Sequence, residues 1–314
     1  MVFGTLPLND GKQIPAIAFG TGSIYKGTDV SKLVHQALDA GFWHIDTAQF
    51  YATEVYVGQV IRESGLARSE LYVTTKYGQG NVREVLDKSL SDLGLTYVDL
   101  YLIHQPRFVH DIDTVWREFE IIKKEGKAKS IGVSNFDVDQ LQQLALTHLV
   151  VPAVNQIELH PYNYAQKKSV IDWAAQNGVV IEAYSSLSSI TKFPGGPVDA
   201  PVAAAAVRLG ITPTQVLLSW VRAKGAVIVT TTSSKQRLEE YLAVGVLPAL
   251  SEADIAAIDE AGAKGPPAAR ILGYAINLDG MKRLAAKLVL ILTVQLITLL
   301  WVNNVMGDAM LHGE

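Results

Sequence analysis

Short apolar runs alternate with longer segments of helical spacing along most of the chain. Eight runs have the length and apolar content of buried parallel strands: Ile14–Phe19, Phe42–Ile45, Leu71–Thr74, Val98–Ile103, Lys129–Val133, Ala153–Ile157, Val179–Tyr184 and Ala226–Val229. Between them, segments such as Val30–Ala40 and Val82–Leu93 place their apolar residues on one helical face. The alternation predicts an α/β fold, either a (β/α)₈ barrel or a large doubly wound sheet.

Glycines and turn residues add to this pattern. Glycine stands just after several predicted helices, where it tolerates the left-handed conformation that ends a helix: Gly41, Gly65, Gly94, Gly126, Gly178 and Gly225. The sequence Asn9-Asp10-Gly11-Lys12 predicts a tight hairpin before the first strand, which could plug the floor of a barrel. The Gly-x-Gly-x-x-Gly motif is missing after the first strand, which weighs against a dinucleotide-binding doubly wound sheet.

Composition narrows the range of functions. The chain has 314 residues, of which 49% are hydrophobic and 18% charged, enough to bury a large core. A net charge of −4 without a long basic run gives no indication of nucleic-acid binding. The absence of cysteine excludes disulfides and thiol chemistry, and without a His-x-His or Glu-x-x-His pair no metal site is expected. The N-terminus does not have the pattern of a secretory signal.

Polar residues follow separate apolar runs at the points where those runs end. They are Asp46, Tyr51, Lys76, His104, Asn135, Gln156 and Tyr184. A (β/α)₈ barrel builds its active site in this way, because its chemistry lies at the C-terminal ends of several strands. Singly, such residues are usually helix caps, surface charges or core residues. Together, the first four offer an acid, a phenol, an amine and an imidazole, a set suited to proton transfer on a carbonyl.

The first four residues define a chemical hypothesis. A carbonyl that accepts hydride develops charge on its oxygen, which a positioned acid must protonate. Tyr51 could be this acid, with its pKa lowered from about 10 by the ammonium of Lys76. Asp46 could hold Lys76 charged, and His104 could orient the carbonyl. Because none of these side chains carries hydride, a cofactor must supply it.

Five segments, in this order, resemble the aldo-keto reductase family. They are Asp46–Tyr51 with Glu54 and Gly58, Leu102–Pro106, Gly132–Phe136, Asn155–Pro161 and Val229–Arg237. The resemblance runs from about Gly11 to about Gly262 and implies a (β/α)₈ TIM barrel with Asp46, Tyr51, Lys76 and His104 as the catalytic tetrad. The last segment, together with Lys76-Tyr77-Gly78, is most similar to the fungal branch that reduces α-keto amides and conjugated polyketones.

The resemblance also implies NADPH as the cofactor. Ser134, Asn135 and Gln156 match residues that bind the nicotinamide carboxamide, and Tyr184 matches the aromatic ring that stacks on it. Further matches to cofactor-contacting turns are Gly20, Thr21, Ser185, Leu187 and Ser189. Arg237 matches the arginine that binds the 2′-phosphate. Many relatives have Pro-Lys-Ser where this chain has Thr230-Thr231-Thr232, so Thr232, Ser233, Ser234 and Lys235 are expected to replace the missing lysine.

The substrate pocket is expected to be wide and polar. Three tryptophans that line it in aldose-reductase-like members correspond here to Gly22, Gly78 and Gln105. The expected reaction is therefore NADPH-dependent reduction of a ketone or aldehyde, such as an α-dicarbonyl, an α-keto amide or another bulky ketone. The alternative is a non-catalytic, membrane-tethered barrel that senses NADP(H). The expected partner is a small carbonyl compound and not nucleic acid, and the protein is expected to be a monomer or weak dimer.

The C-terminal part departs from the family. Residues Leu284–Val302 are nearly all apolar, and a helix of this length spans about 28 Å, close to the ~30 Å hydrocarbon core of a bilayer. Lys282, Arg283 and Lys287 precede or open it, and Trp301 lies at its far end. The pattern predicts a barrel over 1–264, a linker over 265–283, a transmembrane tail anchor over 284–302 and a short tail over 303–314. The enzyme would face the cytosol. The alternatives are a soluble cytoplasmic enzyme and a helix packed on protein.

Overall fold

A closed barrel of eight parallel strands forms the centre of the molecule. The computed structural model describes residues 3–267, 270–271 and 274–275. A hairpin of β1 (Thr5–Pro7) and β2 (Gln13–Pro15) comes first. The barrel strands are β3 (Ile17–Gly20), β4 (His44–Asp46), β5 (Tyr72–Tyr77), β6 (Val98–Ile103), β7 (Ala128–Ser134), β8 (Val154–Glu158), β9 (Val180–Tyr184) and β10 (Val227–Thr230). They are hydrogen-bonded in chain order, and β10 closes the barrel against β3.

The helices surround the barrel. They are α1 (Ser31–Ala40), α2 (Glu54–Glu63), α3 (Val82–Leu93), α4 (Ile112–Lys124), α5 (Val138–Thr147), α6 (Pro161–Gln176), α7 (Ser188–Thr191), α8 (Asp199–Leu209), α9 (Pro213–Ala223), α10 (Lys235–Ala243) and α11 (Glu252–Ala263). In α1 the predicted apolar stripe is buried through Val34, Ala37 and Leu38. Gly41 ends this helix at φ 106°, a conformation that favours glycine.

The predicted (β/α)₈ barrel is confirmed, and the doubly wound alternative is wrong. Each predicted apolar run overlaps one barrel strand, although several ends differ by a few residues. The first run, Ile14–Phe19, divides between β2 and β3. Pro15 ends the hairpin strand because it has no N–H to donate.

The N-terminal hairpin closes the floor of the barrel, as predicted. Its strands pair in the register Thr5↔Pro15, with the turn at Asp10-Gly11 between them. Leu8 and Ile14 are buried in one cluster with Leu100, Leu102 and other residues of the barrel strands. This apolar layer seals the end of the barrel opposite to the ends where the predicted polar residues lie.

The barrel forms a compact unit that ends at Pro266. Within the predicted linker, the two-residue strands β11 (Arg270–Ile271) and β12 (Tyr274–Ala275) pair antiparallel. The predicted anchor over 284–302 and the tail after it lie outside the described residues. Among those described, no single helix has the length and apolar character to cross a membrane; α8 and α9 meet these criteria only as a pair bent by 98°.

Candidate active site

The four predicted catalytic residues meet at the C-terminal mouth of the barrel. Asp46 is the last residue of β4, Lys76 lies near the end of β5 and His104 directly follows β6. Tyr51 ends a 3₁₀ turn over Gln49–Tyr51 that leads into α2. All four are buried. The topology therefore brings together side chains that are far apart in the sequence.

Asp46 and Lys76 form an ion pair at the base of the site. Lys76 Nζ lies 2.6 Å from Asp46 Oδ1 and donates to the carbonyl of Thr47 at 2.9 Å. Lys76 is 0% exposed, so burial alone would lower its pKa, but Asp46 and Tyr51 outweigh burial and raise this pKa. Lys76 is therefore an ammonium at neutral pH, as predicted.

Tyr51 lies between Lys76 and His104. Lys76 Nζ is 5.0 Å from the centroid of the Tyr51 ring, and the imidazole of His104 meets that ring edge-on at 5.3 Å between centroids. Burial raises the pKa of Tyr51; Lys76 acts in the opposite direction and Asp46 reinforces the rise. The predicted net lowering of this pKa is wrong, because desolvation outweighs the ammonium. The phenol keeps its proton at neutral pH and can act as a donor.

His104 is a neutral imidazole in this setting. Burial, followed by the charges of Lys76 and Arg107, lowers its pKa to about 3. Its Nδ1 is buried and has no hydrogen-bond partner among the described residues. A neutral ring has one N–H donor and one acceptor, so His104 can donate to a carbonyl oxygen without adding charge to the site.

The residues predicted to bind the nicotinamide are linked by hydrogen bonds. Ser134 Oγ donates to the carbonyl of Gln156 at 2.8 Å, and Tyr184 donates its hydroxyl to Asn135 Oδ1 at 2.8 Å. Asn135 Nδ2 donates to the carbonyl of His104 at 3.2 Å. Asn135 has φ 63°, a left-handed conformation that an asparagine tolerates. These contacts join the residues predicted to bind the cofactor to the predicted catalytic tetrad.

The predicted cofactor-contacting turns surround the same mouth. Thr21 is buried, and its hydroxyl donates to the carbonyl of Asp46 at 3.3 Å. A Cβ atom at Gly20 would lie at ordinary contact distance from Val229 Cγ1 (3.4 Å) and Asp46 Oδ1 (4.0 Å), which places this residue beside the site. Ser185 has φ 58° and turns the chain towards Leu187 and α7. Ser189 Oγ is buried without a hydrogen-bond partner in the described part of the chain, which fits a site that receives a polar ligand.

The start of α10 has the chemistry of a phosphate site. Ser234 caps the helix by accepting from the backbone N–H of Arg237 at 3.4 Å, and its own N–H donates to Thr232 Oγ1 at 3.1 Å. Ser233, Lys235 and Arg237 are exposed. Neither cation forms an ion pair with a described carboxylate. A helix N-terminus with a guanidinium and an ammonium favours an anion.

The predicted substrate residues differ in what surrounds them. A Cβ at Gly22 would meet nothing within 4 Å, as expected for a wide pocket. At Gly78 the space is occupied, because Gln49 Oε1 lies 3.0 Å from where a Cβ would be and accepts the Gly78 N–H at 2.8 Å. Gln105 is half-buried beside His104. The expected polarity of this wall therefore comes from Gln49, which the sequence argument missed.

An aromatic wall at the mouth was also missed. Phe50 and Phe108 lie 5.9 Å apart between ring centroids, and each is 6.0 Å from the ring of His104. Phe50 is 42% exposed, and Lys26 Nζ lies 3.4 Å from its centroid. In the sequence, the position of Phe50 next to Tyr51 could have indicated that its ring lies at the site. These rings offer an apolar surface to a substrate at His104.

A second buried carboxyl lies beneath the tetrad. Gln156 Nε2 donates to Asp46 Oδ2 and to Glu182 Oε2, both at 2.9 Å. Glu182 is 0% exposed, and burial, then Asp46, raises its pKa to about 8. The signal for it was a carboxyl within the apolar run Val179–Tyr184. A charged residue type in a fully buried strand requires a partner or a proton.

A (β/α)₈ barrel with an acid–amine pair, a buried phenol and a neutral imidazole at its mouth has the groups needed to transfer a proton to a carbonyl. The chain matches the aldo/keto reductase family over residues 16–196 and belongs to that family. The resemblance inferred from the sequence motifs is therefore confirmed.

Individual relatives extend the match beyond residue 196. The chain is 35% identical over 268 residues to an NAD/NADP-dependent indole-3-acetaldehyde reductase of Schizosaccharomyces pombe, covering 81% of this chain and 93% of the relative. A Bombyx mori aldo-keto reductase solved with NADP has 30% identity and a TM-score of 0.76, over 89% of this chain and 97% of that one. An aldo/keto reductase structure from Brucella melitensis has 33% identity and a TM-score of 0.74, over 82% and 99%. The chain is an NADP-dependent oxidoreductase that acts on carbonyl groups, and both the enzyme class and the cofactor predicted from sequence are confirmed.

Proposed function

We propose that this enzyme reduces a bulky ketone or aldehyde to an alcohol with Tyr51 as the general acid. The observation that supports this most is the buried ion pair of Lys76 and Asp46, at 2.6 Å, beside the protonated phenol of Tyr51. Once Tyr51 gives its proton to the carbonyl oxygen, Lys76 stabilises the phenolate that remains. His104 donates a hydrogen bond that orients the carbonyl.

We propose that residues around the barrel mouth bind NADPH, which supplies the hydride when bound. Ser134, Asn135 and Gln156 would bind the nicotinamide carboxamide, and Tyr184 would stack on the ring. The turns at Gly20, Thr21, Ser185, Leu187 and Ser189 would line the path of the dinucleotide. The start of α10 would bind the 2′-phosphate through Arg237, Lys235 and the hydroxyls of Thr232, Ser233 and Ser234. The unpartnered Ser189 hydroxyl and the two unpaired cations of the described α10 support this assignment.

The pocket favours a substrate with a flat apolar group and a second polar atom. Phe50 and Phe108 offer the apolar surface, and the amide of Gln49 lies on the side of Gly78. The open space at Gly22 leaves room for bulk. We therefore propose α-dicarbonyls, α-keto amides or similar bulky ketones as the substrate class.

Replacement of Tyr51 by phenylalanine tests the proposed acid. General acids typically contribute roughly 10²–10⁴-fold, so Tyr51→Phe should lower kcat/KM for a 1,2-dicarbonyl by about that factor. NADPH binding, followed by fluorescence titration, should persist. Tyr97→Phe removes a phenol hydroxyl outside the site and should leave turnover unchanged. Wild-type rates in the Tyr51 variant would reject the assignment of Tyr51 as the general acid.

A wild-type protein that binds NADPH but reduces no carbonyl would favour the alternative, a non-catalytic barrel that senses NADP(H).

We also propose that residues 284–302 anchor the enzyme to a membrane with the barrel facing the cytosol. The support is the sequence alone: an apolar stretch long enough to cross a bilayer, basic residues at its start and Trp301 near its end.

A further inference from the structure

A continuous hydrogen-bonded chain runs beneath the tetrad and ends at Glu182. Glu182 Oε2 accepts from Gln156 Nε2, which also donates to Asp46 Oδ2. Asp46 Oδ1 in turn accepts from Lys76, whose ammonium lies next to Tyr51. Four barrel strands contribute to this chain, and it connects a carboxyl outside the tetrad to the proposed acid.

Among the described residues, Lys76 is the one cation that acts on Glu182. The titratable groups near it are His44 and Asp46 on β4 and Tyr72 and Lys76 on β5. On its two neighbouring strands, β8 provides the uncharged Gln156 and β10 provides Val227 in register with Glu182. His44 Nε2 lies 3.9 Å from Glu182 Oε1, but burial lowers the pKa of His44 to about 3, so this ring is neutral. Lys76 is already paired with Asp46, so an ionised Glu182 has no counter-ion of its own in the part of the chain that the structure describes.

We infer that Glu182 is a positioning residue that must hold a proton for reduction to proceed at its full rate. This inference rests on the proposed role of Tyr51. While Glu182 is neutral, Lys76 faces one carboxylate and stabilises the negative charge left on Tyr51 after proton transfer. When Glu182 loses its proton to solvent, Lys76 faces two carboxylates linked through Gln156. Its stabilisation of the phenolate is then weaker, and reduction slows.

The pH profile of Glu182→Gln tests this role. Glutamine has the same shape and can still accept from Gln156, but it does not titrate. With saturating NADPH, the wild-type kcat/KM should fall roughly tenfold as Glu182 ionises above about pH 8, a loss equivalent to one pKa unit of interaction. The Glu182→Gln variant should lack this decline. The same decline in the variant, or a flat wild-type profile, would overturn the inference.

Glu54→Gln is the matched control. Glu54 is also buried, burial also raises its pKa, and it accepts from Thr75 at 2.6 Å without contacting Gln156. This variant should keep the wild-type decline. If it removes the decline as well, the pH effect does not belong to Glu182.

Two measurements without turnover keep this test separate from the proposed catalytic function. Infrared difference spectra of the wild type should show the carbonyl stretch of a protonated carboxylic acid at pH 7 that disappears by about pH 10, and Glu182→Gln should lack this change.

The pH dependence of the melting temperature gives the second measurement. Between its ordinary pKa of 4.5 and about 8, Glu182 is protonated only in the folded chain, so folding loses stability as the pH rises. The melting temperature of Glu182→Gln relative to wild type should therefore increase from pH 5 to pH 8. A constant difference, or no protonated carboxyl at pH 7, would reject a proton on Glu182 even if Tyr51 is the acid.

Discussion

Arg237 is the residue that we propose discriminates between the two nicotinamide dinucleotides. It lies in the first turn of α10, is exposed and forms no ion pair with a carboxylate in the described ranges. A guanidinium binds phosphate through two parallel hydrogen bonds, and only NADPH carries the 2′-phosphate. The contribution of Arg237 should therefore appear as a difference between the binding affinities for NADPH and NADH.

Arg237→Ala should weaken NADPH binding far more than NADH binding. A charge-assisted hydrogen bond contributes ~1.5–3 kcal/mol, which corresponds to roughly 10–150-fold in Kd. Fluorescence titration of both cofactors measures this ratio. Lys12→Ala removes an equal charge at the hairpin on the barrel floor and should leave both affinities unchanged. Equal losses of affinity for the two cofactors in the Arg237 variant would show that this residue does not bind the 2′-phosphate.

At the level of whole helices, α2 and α3 approach closely at one glycine. A Cβ at Gly58 would lie 2.4 Å from the carbonyl oxygen of Asp92 and 2.6 Å from that of Leu93. Both contacts are with backbone atoms at the end of α3, so rotation of a side chain cannot relieve them. The absence of a side chain at Gly58 thus sets the distance between the two helices that follow β4 and β5.

Gly58→Ala tests whether this close approach outweighs helix propensity. Alanine should favour an isolated helix by ~1 kcal/mol, whereas overpacking costs ~1–3 kcal/mol or more. We expect a net loss of stability, measured as a lower midpoint of urea unfolding. Gln59→Ala, one residue further along α2 and exposed, should stay within ~0.5 kcal/mol of wild type. A more stable Gly58 variant would mean that α2 can move away from α3.

For the whole molecule, the barrel unit ends at Pro266, before the apolar segment begins at Leu284. Among the described residues, those that form the hydrophobic layers of the barrel all precede that boundary. We therefore expect the barrel to fold and to catalyse without the C-terminal segment. Truncation after Leu278 should give active protein that is released from membranes, whereas the full chain should resist carbonate extraction.

A full-length control separates loss of the anchor from loss of the chain end. Leu292→Asp and Leu296→Asp each place a charge near the middle of the proposed span, at a cost of ~2.5–3.5 kcal/mol on insertion scales. The double variant should leave the membrane with its kcat/KM intact. Full-length wild type that needs no membrane or detergent, or a truncated chain that unfolds, would place this segment against protein instead.

Local pattern was enough to predict the alternation of strands and helices and to single out the polar residues at the strand ends, while the family resemblance selected the barrel. Buried parallel strands are continuous apolar runs, and the polar residues that end them stand out against this background. Asp46, Lys76 and His104 could therefore be identified before any contact was known. The hairpin before the barrel was equally visible, because Asp10-Gly11 favours one turn geometry.

Tertiary structure decided the quantities that depend on distance and burial. The pKa of Tyr51 is raised because desolvation outweighs Lys76, and no sequence pattern gives the balance between these two effects. The amide of Gln49 occupies the space beside Gly78 because the 3₁₀ turn brings it there from another strand end. Glu182 is hydrogen-bonded to the site through Gln156, a neighbour in the barrel and not in the chain. Period and composition are local properties of a sequence, whereas electrostatic coupling depends on which strands the closed barrel places side by side.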